Sequence, residues 1–596
     1  MIPLPKRVRQ ANNKNKQEPA NPAATRSHNS SYLTISEWIV SLGLALVALI
    51  PRVILARQLD VVTDEIVYIM GGKAYLPLLL HLRITSDLWA FNYEHPPVVK
   101  LLMGLSMYLD AYFGSRLSVL FAARVPSILF GTLLVVAIYW LGRAPFGRVQ
   151  AFLAALCLAV SPWLVYFSAL AYLDMTMTTL ITIAYLLLWP AIRQPRLYLL
   201  SAVLVGLGVA SKYTAALVIP GMILFIAYYF ISLWPRLAVD ERPPVPWRWW
   251  LEAIILVPVT FFIADPAIWR RPSSLFIESL LFEWNHSVTG HLTFVAGQYS
   301  EHVPHWAVLY MLFVKLSAFV TIPAVFFVFF ACIQLVRFHL KLSKLEVTEV
   351  SSISFLLLWL ISLVGMFSLL NIVVGTHYLL PLAPPLVLAG ASGLVTLFRY
   401  RRGAILQSAT ASAPVPEITE AAEEIGARNP AAPMKPRISR PAAIMLAVLT
   451  LLFVGPHFVG LTTVHGEEGY TSEFFNGENA VLQVAYPGYR EAGQWLLAHT
   501  STAASVGLVA LPGTLNHGDD AISWYSYNHS VEGRLKYSEA HPGDASFPYD
   551  FLVWPMHLAQ RGYAIPAAWR SHIVHIVMGG NTIYCFILAR NPAAIS

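Results

Sequence analysis

The sequence predicts a mainly α, polytopic transmembrane helix bundle followed by a small C-terminal α/β domain. Three observations carry this. Of 596 residues, 57% are hydrophobic and 12% charged, whereas soluble domains carry about 25% charged residues. Apolar runs recur between residues 37 and 463, most of them near the ~20 residues a helix needs to cross a hydrocarbon core of roughly 30 Å. Residues 465–596 lose these runs and mix helical spacing with strand alternation.

In chain order, residues 1–34 are rich in Asn, Lys, Arg, Pro and Ser without an apolar core, and read as a disordered cytoplasmic tail. Apolar spans follow near 37–56, 119–141, 149–168, 173–190, 197–211, 214–234, 249–264, 306–336, 352–371, 378–398 and 441–463. That is about eleven spans. The 197–211 run is short, and the 306–336 run is long enough to tilt or overrun the bilayer. Residues 401–440 are rich in Ala, Pro and Glu and read as a flexible cytoplasmic linker before the last span at 441–464. In the terminal domain, Tyr489 to His499 has helical spacing and Ala504 to Leu511 alternates like a strand. Ile573 to Met578 and Thr582 to Leu588 flank Gly579-Gly580-Asn581 and read as a β-hairpin.

Charge orients the spans. With the N-terminus inside, Arg143 and Arg148, Arg193 and Arg196, Arg236, Arg242 and Arg248, Arg337, Lys341 and Lys344, and Arg399, Arg401 and Arg402 all fall on the cytoplasmic side. This distribution accounts for the net charge of +7 without a nucleic-acid partner. Cys157 and Cys332 lie in apolar spans and Cys585 in a strand-like run, so no disulfide framework or thiolate metal site is expected.

The same topology puts the first loop (57–118), Asp174, Lys212, Asp265, the 265–305 loop and Gly375-Thr376-His377-Tyr378 outside. Asp64-Glu65 opens a stretch with Ile66, Tyr68, Ile69, Ala74, Tyr75, Leu78 and Leu79, the spacing of an interfacial amphipathic helix. Acids there complement the helix dipole, but two adjacent acids exceed what one cap needs. In Glu94-His95-Pro96-Pro97, the prolines fix an extended backbone that aims Glu94 and His95, although a proline turn before an interfacial helix is the simpler account of the prolines alone. Lys100 offers a cation to the same loop. Arg124 lies in an apolar run and needs a partner, either an acid or a lipid phosphate, or a route to the headgroups. Asp174 fits an N-cap equally well, and Lys212 a turn. His286 and His291, five apart, are too loose for a metal motif; with Glu94 they are the residues compatible with a divalent ion.

Acids and cations on one face suit glycosyl transfer from a lipid phosphate: a base activates a hydroxyl and cations hold the leaving phosphate. At these residues the chain resembles the GT-C type polyprenyl-phosphate-dependent glycosyltransferases, in particular the protein O-mannosyltransferase and aminoarabinose transferase group. The matching elements are Asp64-Glu65, Glu94-His95-Pro96-Pro97 with Lys100, Arg124-Val125-Pro126-Ser127, Gly206 to Tyr213 with Lys212, His291 and Gly297 followed by Trp306, Tyr310 and Lys315, and His377-Tyr378-Leu379-Leu380-Pro381. They cover roughly residues 35–400. His95 stands where some relatives carry Lys, and 465–596 does not look like the inserted β-trefoil module of eukaryotic relatives.

The resemblance implies a GT-C catalytic domain over 35–400 with an exterior active site and a polyprenyl-phosphate sugar as donor, in a bacterial inner membrane. It implies an inverting enzyme that moves a mannose-like hexose or modified pentose to a hydroxyl of a lipid, glycan or protein. Asp64 is the expected base, with Glu65 beside it. Arg124, Lys212, His95, Lys100 and Tyr378 are expected at the donor phosphate. Glu94, Asp174, His291 and His377 are expected to orient substrate. No cofactor is firmly implied. A flippase of lipid-linked sugars and a non-catalytic scaffold are the alternatives; a flippase would place its charges near the midplane of repeated halves, and no internal repeat is found.

Overall fold

The computed structural model describes residues 35–62, 64–289, 293–300, 303–343, 345–370, 375–411, 440–463, 466–475, 486–500, 503–510, 534–544, 549–560, 562–580 and 582–592. The tail expected at 1–34 and most of the expected linker (412–439) lie outside the described residues.

The bundle is built from α1 (Ile35–Gln58), α2 (Glu65–Leu80), α3 (Val98–Tyr112), α4 (Val119–Phe146), α5 (Arg148–Ala159), α6 (Pro162–Ser168), α7 (Asp174–Ala191), α8 (Leu197–Val209), α9 (Val218–Tyr228) and α10 (Trp247–Ala264). It continues through α11 (Pro272–Thr289), a small hairpin of β1 (Thr293–Val295) and β2 (Gln298–Ser300), then α12 (Ala307–Lys315), α13 (Ala318–His339), α14 (Val347–Leu370), α15 (Ala383–Ala411) and α16 (Arg440–Thr463). Among the described residues, 8 helices are long and apolar enough to cross a membrane, or 9 if the bent α5–α6 pair is one span.

Every expected span contains helix, with three differences. The 149–168 run breaks between α5 and α6, which meet at 62°. Pro162 opens α6, where its missing N–H costs nothing to the helix it starts and cannot extend the one before. The 306–336 run splits at Leu316–Ser317, where the Ser317 hydroxyl accepts from Phe319 N (3.2 Å) and caps α13. At its far end, α15 runs on to Ala411, past the boundary expected at 400. The first-loop helix also forms as its spacing predicts: α2 buries Glu65, Tyr68, Gly72 and Tyr75 against the bundle and leaves Met70, Lys73, Pro77 and Leu80 exposed along one face.

Helices cross closely where glycine removes the side chain. A Cβ on Gly72 of α2 would sit 2.6 Å from Lys100 O and 2.9 Å from Gly104 N of α3. Gly206 and Gly208 of the glycine-rich stretch do the same for α8: their added Cβ atoms would sit 2.8 Å from Val257 O and 2.9 Å from Ile181 Cγ2. These glycines are packing positions, as small residues are between membrane helices.

The C-terminal domain is a five-stranded sheet in the order β4-β3-β5-β7-β6, formed by β3 (Ala504–Val509), β4 (Leu535–Ala540), β5 (Phe551–Pro555), β6 (Ile573–Gly579) and β7 (Thr582–Ala589). β3 runs parallel to both neighbours, while β7 is antiparallel to β5 and to β6. Helix α17 (Tyr489–His499) precedes β3, and the short α18 (Met556–Gln560) follows β5. The helix, the strand and the hairpin fall where their patterns predict. This domain sits on the end of the bundle where α1 finishes. Tyr486 accepts from Asp60 N (3.2 Å) and donates to Glu491 (2.9 Å), while Arg490 donates to Gln58 O. At the next contact, the Glu473 carboxylate receives Ser317 Oγ (2.5 Å) and Ala318 N (2.8 Å), pinning the segment after α16 to the start of α13.

Candidate active site

The site is built in two layers at that same end. The lower layer is an ion pair between Glu65 and Arg124, neither exposed to solvent. Arg124 enters from the second turn of α4 and reaches the C-terminal end of α1. Its Nε and Nη2 donate to the two carboxylate oxygens of Glu65 at 2.7 and 2.6 Å. Its remaining donors meet Ala56 O (2.8 Å), Leu59 O (2.7 Å) and Asp60 O (2.7 Å). A guanidinium has five N–H donors, and all five are used. Glu65 is filled as well: besides the fork it accepts from Val62 N (2.8 Å) and Ala171 N (2.7 Å). Arg124, expected at the donor phosphate, thus has all its donors engaged within the protein. It caps α1, whose final carbonyls carry partial negative charge, and Glu65 fixes it there. Nearby, Ser127 Oγ donates to Tyr172 O (3.1 Å), joining α4 to the loop before α7.

The upper layer surrounds Tyr68, one turn into α2, and Tyr172, just before α7. Their rings meet edge to face at 5.7 Å, and His95 packs on Tyr68 at 5.8 Å. Tyr68 is buried, and its phenol is held well above its usual range, first by burial and then by the charges of Asp64, Tyr378, Asp174 and Glu94. These four groups come from four chain segments and converge on one phenol. Asp64 occupies the N-cap position of α2 yet makes no side-chain cap bond, and it is partly exposed. Its carboxylate is thus not committed to holding the helix.

Lys212 donates to Asp174 Oδ1 (2.8 Å), both residues almost fully buried, and lies 3.6 Å from the centroid of the Tyr378 ring. Lys212 is brought here by the extended residue that ends α8, whose Ala210 carbonyl also receives Val98 N (3.1 Å) and so anchors the Glu94–Pro97 segment beside it. His377 and Tyr378 come from the 3₁₀ turn Thr376–Leu382, and His377 packs against Tyr172 and Phe167, each at 5.6 Å. Three buried polar atoms of this layer have no hydrogen-bond partner among the described residues: Asp174 Oδ2, His377 Nδ1 and Tyr172 Oη. Buried polar atoms are normally satisfied, so three orphans in one cluster mark a place for a polar ligand.

Lys100 makes its contacts beside this cluster. It is fully buried, and its ammonium donates to Asn92 O (2.6 Å), Asn92 Oδ1 (2.8 Å) and His95 O (2.7 Å), all three donors spent on the loop. Lys100, expected at the donor phosphate, is engaged instead with the loop that carries Glu94 and His95. Asn92, in the left-handed region at φ 51°, also donates to Glu94. Burial pushes the Lys100 ammonium down to about 7, against the pull of Glu94 and Asp265; burial likewise pushes Asp265 up to about 7. His291 lies outside the described residues, and His286 is placed on α11 without a described side chain. Among the described residues, no three of His, Cys, Asp and Glu gather as a metal site. Sequence reasoning missed Tyr172 and Asp265 as site-layer residues. Tyr172 stands two before Asp174, and Asp265 ends α10, but neither position carries a motif.

Residues 94–263 match the sequence family described as dolichyl-phosphate-mannose-protein mannosyltransferase. The match starts at Glu94 and includes Arg124, Asp174 and Lys212. Among solved structures, the chain is similar to ArnT from Cupriavidus metallidurans bound to undecaprenyl phosphate, at 12% identity over 94% of this chain and 100% of that one, with a TM-score of 0.43. It is also similar to the Archaeoglobus fulgidus oligosaccharyltransferase in its apo form, at 12% identity over 85% of this chain and 65% of that one, with a TM-score of 0.45. No curated protein sequence matches. The chain is a polytopic helical membrane protein with a small C-terminal sheet domain, and it resembles the GT-C type glycosyltransferases. Within that class, residues 94–263 carry the likeness to the dolichyl-phosphate-mannose-protein mannosyltransferase family.

Proposed function

We propose that the protein is an inverting glycosyltransferase that takes a sugar from a polyprenyl phosphate and transfers it to a hydroxyl of a lipid, glycan or protein acceptor. The reaction takes place on the exterior face of a bacterial inner membrane, with the N-terminus in the cytoplasm. The observation that carries this reading is the cluster around Tyr68 and Tyr172, where Asp174 Oδ2, His377 Nδ1 and Tyr172 Oη lack a partner among the described residues. Asp64, whose carboxylate caps nothing, adds its charge to the same cluster, and Lys212 makes its one hydrogen bond among the described residues to Asp174.

In this reading Asp64 takes the acceptor proton as the hydroxyl oxygen bonds to the anomeric carbon, and the bond from that carbon to the phosphate oxygen breaks. The phosphate leaves on its lipid, stabilised by Lys212, which has further N–H donors to give, and by His377. His95 and Tyr378 border the same space, and Glu94 and Asp174 orient the sugar and the lysine. Arg124, Lys100 and Glu65 act as the frame. The test uses proteoliposomes supplied with a panel of polyprenyl-phosphate sugars and reads which sugar leaves its lipid. Asp64→Asn is expected to slow transfer by roughly 10²–10⁴-fold with the unfolding temperature unchanged. Transfer at the wild-type rate would remove Asp64 as the base.

A further inference from the structure

The end of the bundle away from the candidate site carries a second built feature. An apolar cavity of about 680 Å³ lies between α1, α4, α5 and α16. Its wall on α16 runs from Ala443 to Val454, about 16 Å at 1.5 Å per residue. That is half of a hydrocarbon core of roughly 30 Å, the depth of one leaflet. Its wall on α5 runs from Leu156 to Arg148, and Tyr139 contributes from α4. Helix α16 needs a filler here, because only Leu446, Thr450 and Leu461 of its 24 residues are buried.

The open end is basic. Glu37 is shared by Arg143 (2.8 Å) and Arg148, so two guanidinium groups face one carboxylate and one positive charge remains. Arg148 is 67% exposed. Arg143 lies 4.7 Å over the Trp140 ring, which packs against Trp38 at 5.6 Å. Paired tryptophans at the end of a bundle mark the headgroup level. A chamber one leaflet deep, apolar along its length and cationic at headgroup level, matches the shape and charge of a single lipid.

We propose that this cavity binds one anionic phospholipid from the leaflet at the Arg148 end. The acyl chain fills the seam between α5 and α16, and the phosphate is held by Arg148. The lipid thereby seats α16, the helix from which the C-terminal domain hangs. The test is native mass spectrometry of the full detergent-purified chain, incubated with phosphatidylglycerol or phosphatidylcholine of identical acyl chains. Phosphatidylglycerol is expected to be retained about fivefold better, because both lipids offer a phosphate and only phosphatidylcholine carries a compensating positive charge. Arg148→Gln, at an exposed position, should lower retention of both lipids, since both offer a phosphate, and should lower phosphatidylglycerol the more, bringing the two close together. Ala447→Trp, which fills the cavity, should lower both lipids while the size-exclusion profile stays that of the parent. Equal retention of the two lipids by the parent chain, or unchanged phosphatidylglycerol retention in both variants, overturns the proposal. The readout does not involve sugar transfer, so it stands or falls apart from the proposed activity.

Discussion

Adjacent residues at the start of α2 divide between frame and chemistry. Glu65 and Arg124 are fully buried and mutually saturated, whereas Asp64 is partly exposed and uncommitted. Removing one partner of a buried pair strands the other charge, at a cost of about 3–5 kcal/mol. Glu65→Gln should therefore lower the unfolding temperature of the detergent-solubilised protein markedly, with Arg124→Ala doing the same. Asp64→Asn should leave it unmoved and affect transfer alone. A thermal melt of the three variants checks this. Equal melting of Asp64→Asn and Glu65→Gln would contradict the division. The sequence exposed both acids and the arginine as costly residues, because charge in an apolar run is legible without a structure. Which of the two acids takes the arginine was not, since one position along a helix rotates a side chain by about 100°.

At the scale of elements, the site depends on how closely α2 and α3 approach. Gly72 faces the backbone of Lys100 and Gly104, and the Lys100 side chain staples the loop that presents Glu94 and His95. Gly72→Ala should force the helices apart and destabilise the fold by about 1–3 kcal/mol. Gly43 in α1 has nothing within 4 Å of an added Cβ, so Gly43→Ala should stabilise by up to ~1 kcal/mol through helix propensity alone. Opposite shifts in unfolding temperature are the expected outcome, and shifts of the same sign would refute the packing argument. Periodicity gave helix positions well but not helix continuity. The 149–168 and 306–336 runs are apolar throughout, and their breaks arise from Pro162 and Ser317, residues that apolar helices also tolerate.

For the whole molecule, the junction between bundle and C-terminal domain is a titrating contact. Glu467, in the 3₁₀ turn after α16, is buried with Oε1 unpartnered among the described residues, and burial pushes its carboxyl up to about 7 from 4.5. Between those values the folded chain keeps a proton that the unfolded chain has released. Stability is therefore fully present below about 4.5, falls as pH rises, and levels off above about 7. The unfolding temperature should drop across this window, and Glu467→Gln, which stays neutral, should make the drop shallower. Asp265 adds a change of the same sign, so a residual slope is expected in the variant. An identical slope in variant and parent would show that Glu467 does not titrate there.

By itself, the sequence determined a membrane-embedded helical bundle, the run of its spans, the α/β character of the terminal domain, and the crowding of acids and cations that made glycosyl transfer the leading reading. These properties follow from hydrophobicity, periodicity and the cost of buried charge, all local to the chain. Only the tertiary structure decided which charges neutralise one another. Arg124 spends its donors on Glu65 and on the carbonyls at and after the end of α1, Lys100 spends its own on the 92–95 loop, and Lys212 pairs with Asp174. The partners of Arg124 and Lys212 lie 38 to 68 positions away in the chain, and such distances are set by helix packing rather than by spacing along the chain.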